Sequence, residues 1–240
     1  MAKEKTKKIK NHSLLPDMLL PKAKEDFRET FQWKIFRIMA EFVDGYHFLA
    51  DLKKTVTIFG SAVFSENNEY YQEARKMGNL LAKNKYTVVT GGGPGIMEAA
   101  NRGASEAGGT SVGINIQLPK EQRINEYVNK SIGFNYFFTR KVMLSFSAQA
   151  YLFFPGGFGT LDEFFEMVTL VQTKKLNKPI PIIAVGKDYW EPLLNWIKSD
   201  VYSKYGAIQK SDLEIFHLVD SAEEALKMIQ KLLKTNKNKK

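Results

Sequence analysis

The stretch AYLFFPGGFGTLDEFFEMVTLVQ, residues 150–172, joins a short apolar run to a helical pattern through a glycine-rich corner. Ala150–Phe154 predicts a buried strand, and Leu161–Gln172 predicts a helix. A strand that passes directly into a helix is typical of a βα unit in a mostly parallel sheet. This unit decides the fold class, because strand-like and helical segments alternate on both sides of it.

The alternation continues in both directions along the chain. Further strands are predicted over Thr55–Phe59, Thr87–Thr90, Thr110–Ile114, Ile180–Val185 and Ile215–Val219. Further helices are predicted over Glu69–Lys83, Ile96–Ala107, Lys141–Ala148, Tyr189–Lys198 and Ala222–Leu233. The order predicts a Rossmann-like, doubly wound α/β fold, a mostly parallel sheet with helices on both faces. Such sheets bind ligands outside the carboxyl ends of their strands.

The chain divides into one domain with two basic ends. Residues 1–24 are polar and lysine-rich with a short apolar anchor, and they predict a flexible N-terminal arm. Residues 25–234 predict a single nucleotide-binding domain that begins with a helical extension. That extension, Glu25–Leu49, is an amphipathic helix expected to pack on the core or on a partner subunit. Residues 235–240 form a basic tail.

Charge and composition exclude several classes of protein. Ten lysines and one glutamate in residues 1–10 and 231–240 account for the whole net charge of +9, so the body is neutral and we expect no nucleic-acid partner. The chain contains no cysteine, which excludes disulfides and thiolate metal sites. Neither a secretory signal nor a membrane span is predicted, so we expect a cytoplasmic protein without a membrane partner.

Glycine-rich corners follow three of the predicted strands. Two of them, Gly91–Gly95 and Pro155–Thr160, open directly into helices and present free backbone N–H groups at the positive end of a helix dipole. This arrangement favours a phosphate, although glycine in either corner alone is equally explained by a sharp turn. Neither corner has the Gly-Lys-Ser/Thr ending of a P-loop, and Gly91–Gly95 also lacks the G-x-G-x-x-G spacing of a dinucleotide fingerprint. A mononucleotide fits better.

Three ordered motifs in this region resemble those of the LOG ("Lonely Guy") family of phosphoribohydrolases, whose members were often labelled possible lysine decarboxylases. The signature P-G-G-x-G-T-x-x-E is complete at Pro155–Glu163, an Arg-Lys pair followed by Met occurs at Arg140–Met143, and Gly91–Asn101 is similar to the third element in longer bacterial members. The resemblance spans about Val56 to Val185. It implies an enzyme that hydrolyses the N-glycosidic bond of a purine nucleoside 5′-monophosphate, AMP or a cytokinin riboside 5′-monophosphate, to free base and ribose 5-phosphate.

The resemblance implies Glu163 and Arg140 as the catalytic pair. Cleavage of the bond between C1′ and N9 builds positive charge on the sugar, which a carboxylate stabilises. Glu163 lies one turn into the helix whose N-terminus is expected to hold the phosphate. Arg140 can bind phosphate or stabilise the leaving base, and the sequence leaves both roles open. Without the motifs, a cap and a solvated helix start are the simpler explanations for these residues.

The remaining candidate residues are assigned to substrate binding: Ser61, Gly92, Gly93, Gly95, Glu98, Lys141, Gly156, Gly157, Gly159 and Thr160. Glu98 is expected to face the nucleotide, with Asn101 one turn further along. Phe137, Phe138 and Met143 are candidates for a purine pocket, although such residues more often belong to a core.

No cofactor or metal is expected. His12, His47 and His217 are spread over the arm, the first helix and the last strand, and they do not form a metal constellation. No lysine lies in a setting that suggests pyridoxal phosphate chemistry. The resemblance also implies a homodimer. The alternative function is a nucleotide-binding or sensing protein that does not cleave its ligand.

Overall fold

The computed structural model describes residues 30–117, 124–176 and 180–238. Within these ranges, seven strands form one sheet in which every paired neighbour runs parallel. In chain order the elements are α1 (Phe31–Ala50), β1 (Thr55–Phe59), α2 (Glu69–Lys83), β2 (Thr87–Thr90), α3 (Ile96–Glu106), β3 (Ser111–Ile116), β4 (Lys130–Phe134), α4 (Phe137–Phe146), β5 (Tyr151–Phe153), α5 (Phe158–Gln172), β6 (Ile182–Val185), α6 (Lys187–Trp196), β7 (Phe216–Val219) and α7 (Ala222–Asn238).

The order of the strands across the sheet is β4-β3-β2-β1-β5-β6-β7. The chain winds outward from β1 to β4 and then returns to the other side of β1 to form β5. In the pairing of β1 with β5, Phe59 lies opposite Phe153, so the two strands end side by side. The change of winding direction between these strands creates a crevice at their carboxyl ends, which is where such sheets bind ligands.

Apolar side chains cover both faces of the sheet. Every residue of β1 is buried, as expected for a parallel strand between two layers of helices. One core lies beneath α2, α3 and α7 and contains Tyr71 and Ile229. The other lies beneath α1, α4, α5 and α6 and contains Phe164 and Trp190. The fold is therefore the predicted Rossmann-like α/β arrangement.

The N-terminal helix α1 packs on the second core through one side only. Gly45 is buried against α4, where a Cβ atom would lie 2.4 Å from the sulfur of Met143. The opposite side of the helix exposes Phe36, Met39 and Val43. Neither α1 nor any other helix in the described ranges combines the length and the apolar character needed to cross a bilayer.

The predicted elements agree with the structure over most of their length. The bounds of β1, β2 and α2 are as predicted, and α7 continues beyond its predicted end to Asn238. Strand β4 was missed, because it lies at the edge of the sheet and only Phe134 of its five residues is buried. Helix α4 begins at Phe137 rather than at the predicted Lys141. The arm, residues 1–24, and the start of the predicted first helix lie outside the described residues.

Candidate active site

The three glycine-rich corners, Phe59–Ala62 after β1, Gly91–Gly95 after β2 and Pro155–Thr160 after β5, meet at the backbone of Ser61. Its N–H donates to the carbonyl of Pro155, after β5, at 2.9 Å. Its carbonyl accepts from the N–H of Ile96, the first residue of α3, also at 2.9 Å. The Ser61 hydroxyl accepts from the N–H of Val63 at 3.2 Å, so it stabilises its own loop. The predicted corners therefore share one edge of the sheet.

The N-terminus of α5 presents free backbone donors to an open space. The first helical hydrogen bond is donated by Leu161 to the carbonyl of Gly157 at 3.1 Å, so the N–H groups of residues 158–160 precede it. A Cβ atom on Gly157 or Gly159 would meet no atom within 4 Å. At Gly156, by contrast, it would lie 2.2 Å from the hydroxyl oxygen of Thr160. Glycine is thus required by packing at 156, whereas 157 and 159 leave the helix start accessible.

The Gly91–Gly95 corner is held in a conformation that requires glycine. Gly92 has φ +73° and Gly95 has φ +70°, values in the left-handed region. A Cβ atom on Gly95 would also lie 2.3 Å from the carbonyl oxygen of Ser61. Gly93 is buried, and its carbonyl accepts from the side-chain amide of Asn125 at 3.0 Å. The Asn125 backbone N–H donates to Gly92 at 2.9 Å, a clamp that the sequence did not indicate.

Arg140 lies between strand β3 and the Gly91–Gly95 corner. Its Nε donates to the carbonyl of Ile114 at the end of β3, at 2.9 Å, and its guanidinium lies 5.9 Å from the centre of the Phe137 ring. A Cβ atom on Gly91 would lie 2.3 Å from Nη2 of Arg140, so this glycine makes room for the guanidinium. Burial lowers the pKa of Arg140, and the charge of Glu163 opposes that effect. The arginine is therefore a positioned, poorly solvated cation.

Glu163 projects from α5 into the same region. Burial raises the pKa of its carboxyl from 4.5 to about 7. The nearby charges of Arg140 and Lys141 lower this pKa, and those of Asp162 and Glu166 raise it further. The carboxyl can therefore change its protonation state near neutral pH, a property typical of catalytic acids and bases. The structure brings the predicted catalytic pair together.

Lys141 links α4 to α5. Its ammonium lies 2.7 Å from a carboxylate oxygen of Asp162 and 3.4 Å from one of Glu166. Burial lowers the pKa of Lys141, but the two carboxylates outweigh this effect and the pKa is raised. The side chain predicted to bind substrate thus already pairs with two acids beside Glu163, and it connects the helices that carry the predicted catalytic residues.

Glu98, in the first turn of α3, accepts a hydrogen bond from the hydroxyl of Tyr71 on α2 at 2.9 Å. Burial, followed by this bond to Glu98, raises the pKa of Tyr71 to about 12. Asn101, expected one turn along, is fully buried and donates to Ser111 at 2.8 Å while accepting from Thr90 at 2.6 Å. Asn101 therefore joins α3 to two strands instead of lining the crevice.

The aromatic residues near Arg140 differ in position. Phe137 and Phe138 are about half exposed beside the crevice, whereas Met143 is fully buried. The assignment of Met143 to a purine pocket was wrong, because it packs beneath Gly45 of α1. Phe158, the variable residue of the P-G-G-x-G-T motif, is 93% exposed at the first position of α5. An apolar residue at the variable position of the motif was the signal that could have identified Phe158 as an exposed residue of the corner.

Asn115 holds a buried oxygen that has no hydrogen-bond partner. It lies near the end of β3, next to Ile114, and its side chain is 8% exposed. Among the described residues, its Oδ1 is the buried side-chain polar atom without a partner. Its Cβ lies 3.7 Å from the place where a Cβ of Gly92 would stand. Because burying an unpaired acceptor is costly, we count Asn115 among the candidate ligand contacts.

Metal-binding side chains are not grouped in the described ranges, where no cluster of three or more His, Cys, Asp and Glu residues could hold an ion. His47 lies on α1 and His217 on β7, and burial lowers the pKa of His217. His12 lies outside the described residues.

Comparison with known proteins places this geometry in a family. The family model described as "Possible lysine decarboxylase" matches residues 97–229. The chain is 31% identical over 151 residues to the cytokinin riboside 5′-monophosphate phosphoribohydrolase of Rhodococcoides fascians, covering 60% of this chain and 74% of that relative. It is 26% identical over 182 residues to the Arabidopsis thaliana phosphoribohydrolase LOG3, covering 74% and 82% respectively.

A solved structure shares the fold. The X-ray structure of the protein TM1055 has a TM-score of 0.53 and 26% sequence identity, and the match covers 75% of this chain and 99% of that one. The matched region of the family model contains both Arg140 and Glu163. The chain therefore belongs to the LOG family, whose model carries the description possible lysine decarboxylase.

Proposed function

We propose that this protein hydrolyses the N-glycosidic bond of a purine nucleoside 5′-monophosphate, AMP or a cytokinin riboside 5′-monophosphate. The products are the free base and ribose 5-phosphate. One observation carries the proposal: the carboxyl of Glu163, with a pKa of about 7, lies on the helix whose N-terminus has free N–H groups, and it interacts electrostatically with Arg140. The relatives named for phosphoribohydrolase activity support the same class of reaction.

The 5′-phosphate binds at the start of α5. The N–H groups of residues 158–160 and the positive end of the helix dipole favour an anion there, and the glycines at 157 and 159 let it approach. Gly159 and Glu163 are four residues apart, a rise of about 6 Å along the helix axis. That distance is comparable to the span from a 5′-phosphate to the anomeric carbon, so one helix holds the phosphate and places the carboxylate at C1′.

The chemical step uses the charges of the pair. As the bond between C1′ and N9 breaks, its electron pair leaves with the purine and positive charge develops on the sugar, which the carboxylate of Glu163 stabilises. The oxygen of a water molecule bonds to C1′, and its proton ends on the departing base. Arg140, partly desolvated and fixed by Ile114, stabilises negative charge on the phosphate or on the base. Water is the only reactant besides the nucleotide, so the proposed reaction uses no cofactor.

Groups around the crevice complete the binding site. The unpartnered oxygen of Asn115 supplies an acceptor for a ligand hydroxyl or amino group. Phe137 and Phe158 are exposed next to the site and offer apolar surface for the base. Ser61, Gly92, Gly93, Gly95, Gly156 and Thr160 shape the corners around the phosphate and sugar. Glu98 and Lys141 act through their bonds to Tyr71, Asp162 and Glu166.

We also propose that two copies associate through α1. Its outer side exposes Phe36, Met39 and Val43, and the surface continues onto Phe146 of α4, whose ring lies 6.4 Å from that of Tyr46. An apolar strip of this kind is self-complementary across a twofold axis. It adjoins α4, the helix that carries Arg140.

The test is a substrate panel. Purified protein is incubated with AMP, isopentenyladenosine 5′-monophosphate, GMP and CMP, and the free base is separated by chromatography. We expect release from the purine nucleotides by the wild type and little or none by Glu163→Gln. Glu69→Gln, which changes an exposed glutamate in the first turn of α2, is the matched control and retains activity. If the wild type releases base no faster than Glu163→Gln, the protein is not this hydrolase; tight binding of intact nucleotide would then indicate a sensing role.

A further inference from the structure

Helix α4, which carries Arg140, begins without a cap of its own. Its N-cap residue, Tyr136, makes no side-chain cap hydrogen bond, and its first turn contains no acidic residue. The first N–H groups of a helix have no partner within the helix and need an acceptor from elsewhere. In this protein an acceptor at the entry to the helix, where Asn135 and the N-cap residue Tyr136 lie, comes from α1, which precedes the region that the family model matches.

Glu41 of α1 supplies that acceptor with both of its carboxylate oxygens. Oε1 accepts from the backbone N–H of Asn135 at 2.7 Å and from its side-chain amide at 3.0 Å. Oε2 accepts from the N–H of Tyr136 at 3.4 Å and from the hydroxyl of Thr139. A negative charge in this position also interacts favourably with the helix dipole. One side chain of the N-terminal extension therefore binds three residues at the start of α4: Asn135, Tyr136 and Thr139.

The path from Glu41 to Arg140 is short. The carbonyl of Tyr136, whose N–H binds Glu41, accepts the helical hydrogen bond of the Arg140 N–H at 3.2 Å. Thr139, which precedes Arg140, is fully buried, and its hydroxyl lies within hydrogen-bond distance of both Glu41 and the carbonyl of Tyr136. The guanidinium is held through its Nε, which donates to the carbonyl of Ile114. Movement of the first turn of α4 therefore displaces Arg140 relative to that anchor and to Glu163.

We infer that Glu41 is a positioning residue for Arg140, so that the helical extension α1 forms part of the active-site assembly. The inference rests on the proposed hydrolase function for its kinetic consequence. Its structural part, the ordering of the α4 start by Glu41, stands independently of that function. The carboxylate of Glu41 binds Asn135 and Tyr136, which precede α4, and Thr139 in its first turn, and we assign it no role in the chemical step.

The kinetic test compares Glu41→Ala with Asp44→Ala, an exposed acid on the same helix. Misplacement of a catalytic group by about 1 Å can cost about 100-fold in rate, so we expect Glu41→Ala to lower kcat by roughly 10- to 100-fold. Asp44→Ala retains the wild-type rate. Because Arg140 lowers the pKa of Glu163, its displacement also moves the acidic limb of the pH profile to higher pH. Glu41→Gln keeps one acceptor oxygen and restores part of the rate.

A double mutant separates positioning from general stability. If Glu41 acts through Arg140, Glu41→Ala has little further effect on kcat in an Arg140→Gln background. The inference is overturned if the losses in kcat of the two single mutants multiply in the double mutant. It is also overturned if Glu41→Ala has the wild-type rate and the wild-type pH profile.

Hydrogen exchange distinguishes failure of the inference from failure of the proposed function. We expect the amides of residues 135–140 to exchange faster in Glu41→Ala than in the wild type or Asp44→Ala, while those of α5 stay protected. This result with no nucleotide hydrolysis by the wild type would reject the function and retain the ordering role. Unchanged exchange at residues 135–140 rejects the ordering role whatever the activity. Thr139→Val, which removes one of the four bonds, gives an intermediate exchange rate if Glu41→Ala folds poorly.

Discussion

Arg140 and Glu163 interact electrostatically from neighbouring helices, and the structure shows no direct ion pair between these two side chains. The guanidinium lowers the pKa of the carboxyl, yet burial dominates and keeps that pKa at about 7. Both groups are poorly solvated, and each retains hydrogen-bonding capacity that the other does not consume. The proposed hydrolysis would therefore bring the substrate against a cation and against an acid whose charge changes near neutral pH.

The first prediction concerns the pH dependence of catalysis. If the ionised carboxylate stabilises the sugar cation, kcat/KM for AMP rises with pH through an apparent pKa near 7. In Arg140→Gln the cation that lowers this pKa is lost, so the limb moves to higher pH. Asp162→Asn removes a charge that raises the pKa and moves the limb to lower pH. Initial rates between pH 5 and 9 measure these shifts, and a rate that falls through pH 7 would assign Glu163 as an acid instead.

The second prediction concerns stability. The folded-state pKa of Glu163 is raised above the value of 4.5 expected in the unfolded chain. The folded protein therefore binds this proton more tightly, and the residue destabilises the fold increasingly as pH rises from about 4.5 to about 7. Glu163→Gln removes this cost, so its stability relative to the wild type increases by roughly 2 to 3 kcal/mol between pH 4 and pH 8.

Urea denaturation of both proteins at the two pH values measures this difference. Glu191→Gln, at an exposed position of α6, is the control and shows no such pH-dependent gain. A gain for Glu163→Gln that is equal at pH 4 and pH 8 would show that the raised pKa does not contribute to folding.

The third prediction separates anion binding from folding. Gly159→Ala places a methyl group in open space within a helix, where alanine is more favourable than glycine by about 1 kcal/mol. We expect the melting temperature to be retained or raised, while the Kd for AMP increases because the methyl group obstructs the phosphate. Calorimetry with adenosine, which lacks the phosphate, is the control and gives an unchanged affinity. Equal weakening of AMP and adenosine would place the phosphate elsewhere.

The fourth prediction tests the association of two copies through α1. Val43→Glu puts a charge into the exposed apolar strip formed by Phe36, Met39 and Val43. Light scattering is expected to give twice the chain mass for the wild type and a single chain mass for the variant. Glu191→Gln keeps the wild-type mass. A wild-type protein with the mass of one chain contradicts the association.

Much of the fold follows from local sequence, because buried parallel strands and the helices that cover them have strong patterns. The P-G-G-x-G-T corner also indicated that a helix follows it and that Glu163 lies in that helix. Strand β4 was missed because an edge strand buries little, and Lys130 and Ser131 at its start are exposed. Glu41 and Asn125 were missed because their partners are 94 and 32 residues away, and the position of a partner depends on tertiary packing.

The same limit explains the residues whose surroundings differ from expectation. Asn101 and Met143 belong to recognisable motifs. Asn101, however, is enclosed between α3 and two strands, and Met143 lies under Gly45 of α1. Helical spacing shows on which side of its own helix a residue lies, but it does not show what packs against that side. Which neighbour covers that face is decided by the packing of α1 and of the sheet.

The fifth prediction concerns the unpartnered oxygen of Asn115. A buried acceptor without a donor costs about 1 to 3 kcal/mol, so replacement by leucine, which has the same branching at Cγ but no polar atom, removes that cost. If the oxygen had no role in ligand binding, Asn115→Leu would be more stable and equally active. We expect it to be more stable but to bind nucleotide at least 10-fold more weakly, because the ligand loses an acceptor near Gly92. Asn115→Asp, which keeps an acceptor, retains more affinity than Asn115→Leu. Unfolding curves and AMP titrations measure both effects, and wild-type affinity in Asn115→Leu would remove Asn115 from the site.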